Sequence, residues 1–154
     1  MKKEIKNLLK AKNILPKKRL GQNFLISEKV LEKIIAAAQL EAKDTILEIG
    51  PGVGILTREI AQKTKKVIAV EKDQRMIDIL KENLKDFQNV EIINEDILKL
   101  GAEQWPQEDY KLVANLPYYI TGSVIRMFLE SAHPPKLMVL MVQKEVSQRI
   151  CAKP

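Results

Sequence analysis

Short, mostly apolar runs alternate along this chain with longer stretches whose apolar residues recur every three or four positions. The short runs, at 45–49, 67–70, 90–93, 111–114 and 137–142, predict buried strands. Between them the helical spacing predicts helices near 55–63, 75–84 and 121–131, with another beginning near Gln143. Ahead of the first strand, Val30, Leu31, Ile34, Ile35 and Ala38 form one apolar face of a helix that Ser27 can cap. Alternation of this kind predicts an α/β fold with a doubly wound, mostly parallel sheet, rather than a barrel or a bundle. No internal repeat, low-complexity tract or linker interrupts it.

The polar residues that matter fall where the strands end, which is where open α/β sheets bind ligands. Strand 45–49 runs into Gly50-Pro51-Gly52-Val53-Gly54 and then a helix. Glycine at Gly50 and Gly52 lets the backbone turn sharply and lets a ligand approach where a Cβ would block it. A dinucleotide fingerprint would need glycine at position 55, which is Ile55, so the nicotinamide reading is weakened. Glu71 ends the second strand, where a carboxylate accepts ribose hydroxyls. Asp96, just past the third, is placed to accept an adenine amino group. Each acid equally suits a solvated strand end.

The fourth strand closes on Asn115-Leu116-Pro117-Tyr118. A planar base amine is a poor nucleophile because its lone pair is delocalised into the ring. The Asn115 side-chain oxygen and the Leu116 carbonyl can each accept one of its hydrogens, while Pro117 fixes the turn and Tyr118 stacks on the base. The same four residues also suit a plain turn with Tyr118 as rim packing.

Taken together, these stretches resemble the S-adenosylmethionine-dependent ribosomal RNA adenine N6-dimethyltransferases, in their small-subunit branch. The matching segments are Lys18-Arg19-Leu20-Gly21-Gln22-Asn23-Phe24-Leu25, residues 48–54, Val70-Glu71-Lys72-Asp73, Glu95-Asp96, Asn115-Leu116-Pro117-Tyr118-Tyr119 and Val142-Gln143-Lys144-Glu145-Val146. They occur in family order over residues 17–150. The resemblance implies a Rossmann-like methyltransferase fold that binds S-adenosylmethionine. Asn23 and Leu25 would contact the cofactor, Gly50 would lie against its methionine part, Glu71 would take the ribose, Asp96 the adenine, and Asn115 would sit beside the transferable methyl. The segment at 21–25 and Leu116 favour the small-subunit branch over the antibiotic-resistance branch, and argue against DNA or protein-amide enzymes with a similar Asn-Pro-Pro-Tyr. A non-catalytic RNA-binding or ribosome-assembly factor retaining the fold is the reading from another class. In the family the sheet has seven strands and a small helical domain follows. The chain is therefore expected to be the cofactor-binding part, without those carboxyl-terminal strands, inactive or weakly active alone and prone to self-association through the apolar edge of the fifth strand.

Composition fits one globular domain: 154 residues, 45% hydrophobic and 30% charged. The net charge of +6 is concentrated in residues 1–19, which hold eight Lys or Arg against the single acid Glu4. Residues 20–154, the expected methyltransferase domain, are nearly neutral. Ile5, Leu8 and Leu9 recur at helical spacing before Pro16, so the leader suits either a phosphate-attracting helix for small-subunit ribosomal RNA or a solvated tail. The longest aliphatic run, 137–142, is far too short to span a bilayer. No secretory signal is visible and the one cysteine, Cys151, fits a reducing compartment, so a cytoplasmic location is expected, with no membrane partner. One His and one Cys assemble no metal site. His133 beside Pro134 and Pro135 reads as a loop residue, Trp105 as a loop anchor, Phe24 as a hydrophobic plug, and Met76, Met127, Met138 and Met141 as core.

Overall fold

A computed structural model of the chain describes residues 27–152. The basic leader, Asn23, Phe24 and Leu25 lie outside the described residues.

Helix α1 (Glu28–Ala38) buries Ile34 and Ala38, with Val30, Leu31 and Ile35 packed partly against the same core. Ser27 occupies the N-cap position, but its side chain makes no capping bond. Its backbone carbonyl instead accepts the N–H groups of Val30 (3.1 Å) and Leu31 (3.0 Å) and closes the first turn. Gln39, in the left-handed region at φ 46°, ends the helix and turns the chain toward the sheet.

Strand β1 (Thr45–Ile49) is buried at every position, because parallel neighbours flank it on both sides. After α2 (Ile55–Ala61) come β2 (Lys66–Val70), α3 (Gln74–Asn83) and β3 (Val90–Ile93). A single-turn 3₁₀ segment precedes β4 (Tyr110–Asn115), and α4 (Thr121–Leu129), β5 (Leu137–Met141) and α5 (Lys144–Ile150) complete the described chain. The five parallel strands take the order β3-β2-β1-β4-β5. The strand order reverses beside β1, so a crevice opens between the carboxyl ends of β1 and β4.

Side chains alternate between two cores across the sheet. Ile46, Val67 and Val113 pack with Ile34, Leu56 and Ile60 of α1 and α2. Leu47, Ile68 and Leu112 face the other way, onto Phe128 of α4 and Trp105, whose rings lie 4.5 Å apart. Full burial of a side chain such as Phe128 contributes about 2–3 kcal/mol. Trp105 thus does more than anchor a loop, since it fills this core in place of a helix between β3 and β4. Met76 is fully buried, and Met127, Met138 and Met141 pack partly against the cores.

Two helices stop short of their sequence pattern. Thr64 Oγ1 donates to the Ile60 carbonyl (2.9 Å) and ends α2, and Ser131 Oγ donates to the Phe128 carbonyl (2.8 Å) just past α4. Among the described residues β5 is an edge strand, but all five of its residues are half-buried, Val139 and Met141 against one core and Met138 and Leu140 against the other. Among the described residues no helix is long and apolar enough to cross a membrane.

Candidate active site

The glycine turn after β1 is held by the next strand. Gly50 donates to the Val70 carbonyl (2.9 Å), extending the ladder, and then takes φ +70°, a conformation that favours glycine. A Cβ on Gly50 would stand 3.6 Å from the Asn115 carbonyl oxygen, so the missing side chain keeps the crevice between β1 and β4 open. Gly54, at φ +84°, lies where a Cβ would come within 2.8 Å of Leu80 in α3, and this close approach seats the turn on that helix. Asn83 Nδ2 fastens it further by donating to the Val53 carbonyl (2.8 Å).

Glu71, directly after β2, is buried and faces this turn. Its Oε2 accepts the Gly52 N–H (3.0 Å) and its Oε1 accepts the Asp73 N–H (2.8 Å). A carboxylate oxygen has two lone-pair sites, so each keeps one for a diol. Burial pushes the Glu71 carboxyl above its ordinary pKa, against the opposing pull of those N–H bonds. Asn94 Nδ2 donates to the Glu71 carbonyl (2.7 Å) and ties the ends of β2 and β3 together. Asp73 caps α3 by accepting the Arg75 N–H (3.2 Å), and it also accepts the Arg75 guanidinium.

Past β3, Asp96 Oδ1 accepts the Leu98 N–H (3.1 Å) while Oδ2 accepts the Lys72 ammonium at 2.6 Å. Burial raises the Asp96 carboxyl, but the Lys72 and Leu98 hydrogen bonds outweigh it and hold the pKa below the usual value. On the other side of the crevice, Asn115 ends β4 opposite Met141. The Leu116 N–H donates to the Met141 carbonyl (3.2 Å), which carries the ladder one residue further and fixes the peptide before Pro117. The Pro117 carbonyl accepts the Ile120 N–H (3.2 Å) and the Thr121 hydroxyl (3.1 Å), so the turn leads straight into α4. Leu116 is buried beneath it. Tyr118 and Tyr119, 58% and 47% exposed, stand edge to face on the rim with centroids 5.7 Å apart.

The structure therefore brings Gly50, Gly52, Glu71, Asp96, Asn115, Leu116, Pro117 and Tyr118 to one end of the sheet. It also shows a residue to which the sequence reading gave no role. Glu48, in the middle of β1, is fully buried, and burial, with the nearby Glu71 carboxyl, pushes its pKa up to about 8. The Thr57 hydroxyl relieves this only in part, since neither Glu48 Oε2 nor Thr57 Oγ1 has a partner of hydrogen-bonding geometry. The signal was a lone acid inside a strand buried on both faces. Lys72 and Asn94 also carried no assigned role. Among the described residues no cluster of His, Cys, Asp or Glu is arranged to hold a metal ion.

A five-stranded parallel sheet with its glycine turn, strand-end acids and Asn-Leu-Pro-Tyr at the switch point is a Rossmann-like methyltransferase domain. A dimethyladenosine transferase from Plasmodium falciparum superposes with a TM-score of 0.77 at 34% identity, over 85% of this chain and 47% of that one. The 23S rRNA methyltransferase ErmE superposes with a TM-score of 0.73 at 33% identity, over 82% of this chain and 50% of that one. Residues 14–154 match the family model described as ribosomal RNA adenine dimethylase, and the chain belongs to that family. A ribosomal RNA small subunit methyltransferase A from Dehalococcoides mccartyi is 49% identical over 152 residues, covering 97% of this chain and 52% of that protein. The chain spans about half the length of the curated relatives it matches.

Proposed function

We propose that this chain is the cofactor-binding and catalytic part of an enzyme that transfers methyl groups from S-adenosylmethionine to N6 of adenines in small-subunit ribosomal RNA. The observation that carries this reading is the convergence of the Gly50 turn, Glu71, Asp96 and Asn115 on one crevice. The residues present fit the cofactor: the absent Cβ at Gly50 leaves room beside β4, and the Glu71 oxygens each retain an acceptor site for a ribose hydroxyl. Asp96 takes the adenine amino group. Asn23 and Leu25, which the family resemblance assigns to the cofactor, lie outside the described residues.

When bound, S-adenosylmethionine supplies an electrophilic methyl on a sulfonium. The chain's own residues supply alignment. Asn115 and the Leu116 carbonyl accept the two hydrogens of the target amine and turn its lone pair toward the methyl. Tyr118, exposed on the rim, stacks on the flipped base. The methylated amine passes its proton to solvent water during or after transfer, so no strong base is required. The basic residues of 1–19 attract RNA phosphates, and the enzyme works in the cytoplasm, where its substrate is assembled. Self-association through the β5 edge belongs to the same reading.

Calorimetry with S-adenosylhomocysteine tests the pocket. Glu71→Ala is expected to weaken binding by about 1–3 kcal/mol, the cost of leaving buried hydroxyls without an acceptor. Equal affinity in the variant would remove Glu71 from the site.

A further inference from the structure

Lys72 is the residue directly after the ribose acceptor Glu71, and its ammonium lies 2.6 Å from Asp96 Oδ2. Asp96 Oδ1 takes its donor from the backbone, the Leu98 N–H at 3.1 Å, so Oδ2, whose donor is a movable side chain, is the oxygen at which a ligand's amine would replace a donor. The Asp96 side chain is only 16% exposed, which leaves few directions of approach to that oxygen, whereas the Lys72 side chain is 61% exposed. A flexible four-carbon stem lets Lys72 withdraw without moving the backbone that holds Glu71. The Glu95 carboxylate also attracts its ammonium, so the charge keeps a counter-charge nearby once it leaves Asp96.

We propose that Lys72 sets adenine recognition by competition: its ammonium and the cofactor's adenine amino group contend for Asp96 Oδ2, and binding transfers that oxygen from one to the other. This rests on the assignment of Asp96 to the adenine. The exchange is feasible because an ion pair whose cation is mostly exposed and screened is worth about fivefold in an equilibrium, less than a desolvated hydrogen bond to a charged group in a closed pocket. The competition also bears on specificity. A base with a carbonyl in place of the amine would be repelled by Asp96 but would accept a hydrogen bond from Lys72.

The test is calorimetry on the whole chain with S-adenosylhomocysteine and its inosine counterpart, using wild type, Lys72→Met and Asp96→Ala. Lys72→Met should bind S-adenosylhomocysteine a few-fold more tightly, to a ceiling of about fivefold, and should bind the inosine analogue more weakly. Added salt should tighten wild-type binding of the uncharged-overall S-adenosylhomocysteine by screening the ion pair, and should leave Lys72→Met unmoved. If Asp96→Ala weakens binding while Lys72→Met neither tightens it nor loses the salt response, the competition is overturned and the Asp96 assignment stands. If Asp96→Ala leaves the affinity unchanged, both fall.

Discussion

Replacing Glu48 by Gln keeps the shape of the side chain and removes its charge, and its effect on stability follows from the burial of that residue. The carboxyl has an ordinary pKa of 4.5 and is pushed up to about 8 in the fold. Between those values the folded chain holds a proton that the unfolded chain has lost, so stability falls as pH rises and levels off above the folded pKa. At about 1.4 kcal/mol per unit, the loss between about pH 5 and pH 8 is at most about 4 kcal/mol, an upper figure because relaxation around the carboxylate lowers it. Glu71 is shifted in the same direction and leaves a residual slope in the variant. The depressed carboxyls of Asp44, Asp96 and Glu108 act below their ordinary values of 3.8 to 4.5, outside this window. Urea unfolding followed by the fluorescence of Trp105, which is buried against Phe128, measures the effect across a pH series. Glu48→Gln should flatten most of the decline and equal or exceed wild type near neutrality, where its amide can donate to the otherwise unpartnered Thr57 hydroxyl. Parallel pH profiles for the two proteins would refute the reasoning.

Gly54→Ala should destabilise the fold by about 2 kcal/mol, because φ +84° is unfavourable for an L side chain and the new Cβ would meet Leu80 at 2.8 Å; the urea midpoint reports it. Lys111 Nζ lies 2.7 Å from Asp44 Oδ2, with both side chains at most 15% exposed, so Lys111→Met should cost about 2–4 kcal/mol by leaving a largely buried carboxylate without its cation. Lowering the pH should narrow the difference between Lys111→Met and wild type, since the Asp44 contribution is present above its ordinary pKa and is lost as pH falls through the depressed one. A constant gap down to acid unfolding would count against the ion pair as its cause.

The strands were legible because parallel strands buried on both faces leave short apolar runs with polar residues at their ends. Strands 45–49 and 90–93 were located to the residue, and 67–70, 111–114 and 137–142 to within one at either end. Asn115 and Glu71 stood out for the same reason, as polar residues at the ends of such runs. The role of Lys72 was not legible. Its pairing with Asp96 spans 24 positions and exists only because β2 and β3 are neighbours, a relation that periodicity within one element does not encode. The ends of α2 and α4 were missed because Thr64 and Ser131 close them through side-chain bonds to backbone carbonyls. Glu48 was visible as a letter, but its state depends on burial from both faces of the sheet. Trp105 was read as an anchor, and its place in the core follows from α4 supplying Phe128 from 23 residues further along the chain.

The central claim is that this crevice directs a methyl group onto adenine N6. The most direct measurement is transfer of labelled methyl from S-adenosylmethionine to immature small ribosomal subunits by the chain extended to the length of its relatives, with the modified nucleoside identified and Asn115→Ala run beside it. The account predicts label on N6-methylated adenosine, lost in Asn115→Ala while S-adenosylhomocysteine affinity is largely retained, because Asn115 acts on the target amine in the chemical step. Label on another nucleoside or on protein, or undiminished transfer by Asn115→Ala, would contradict it.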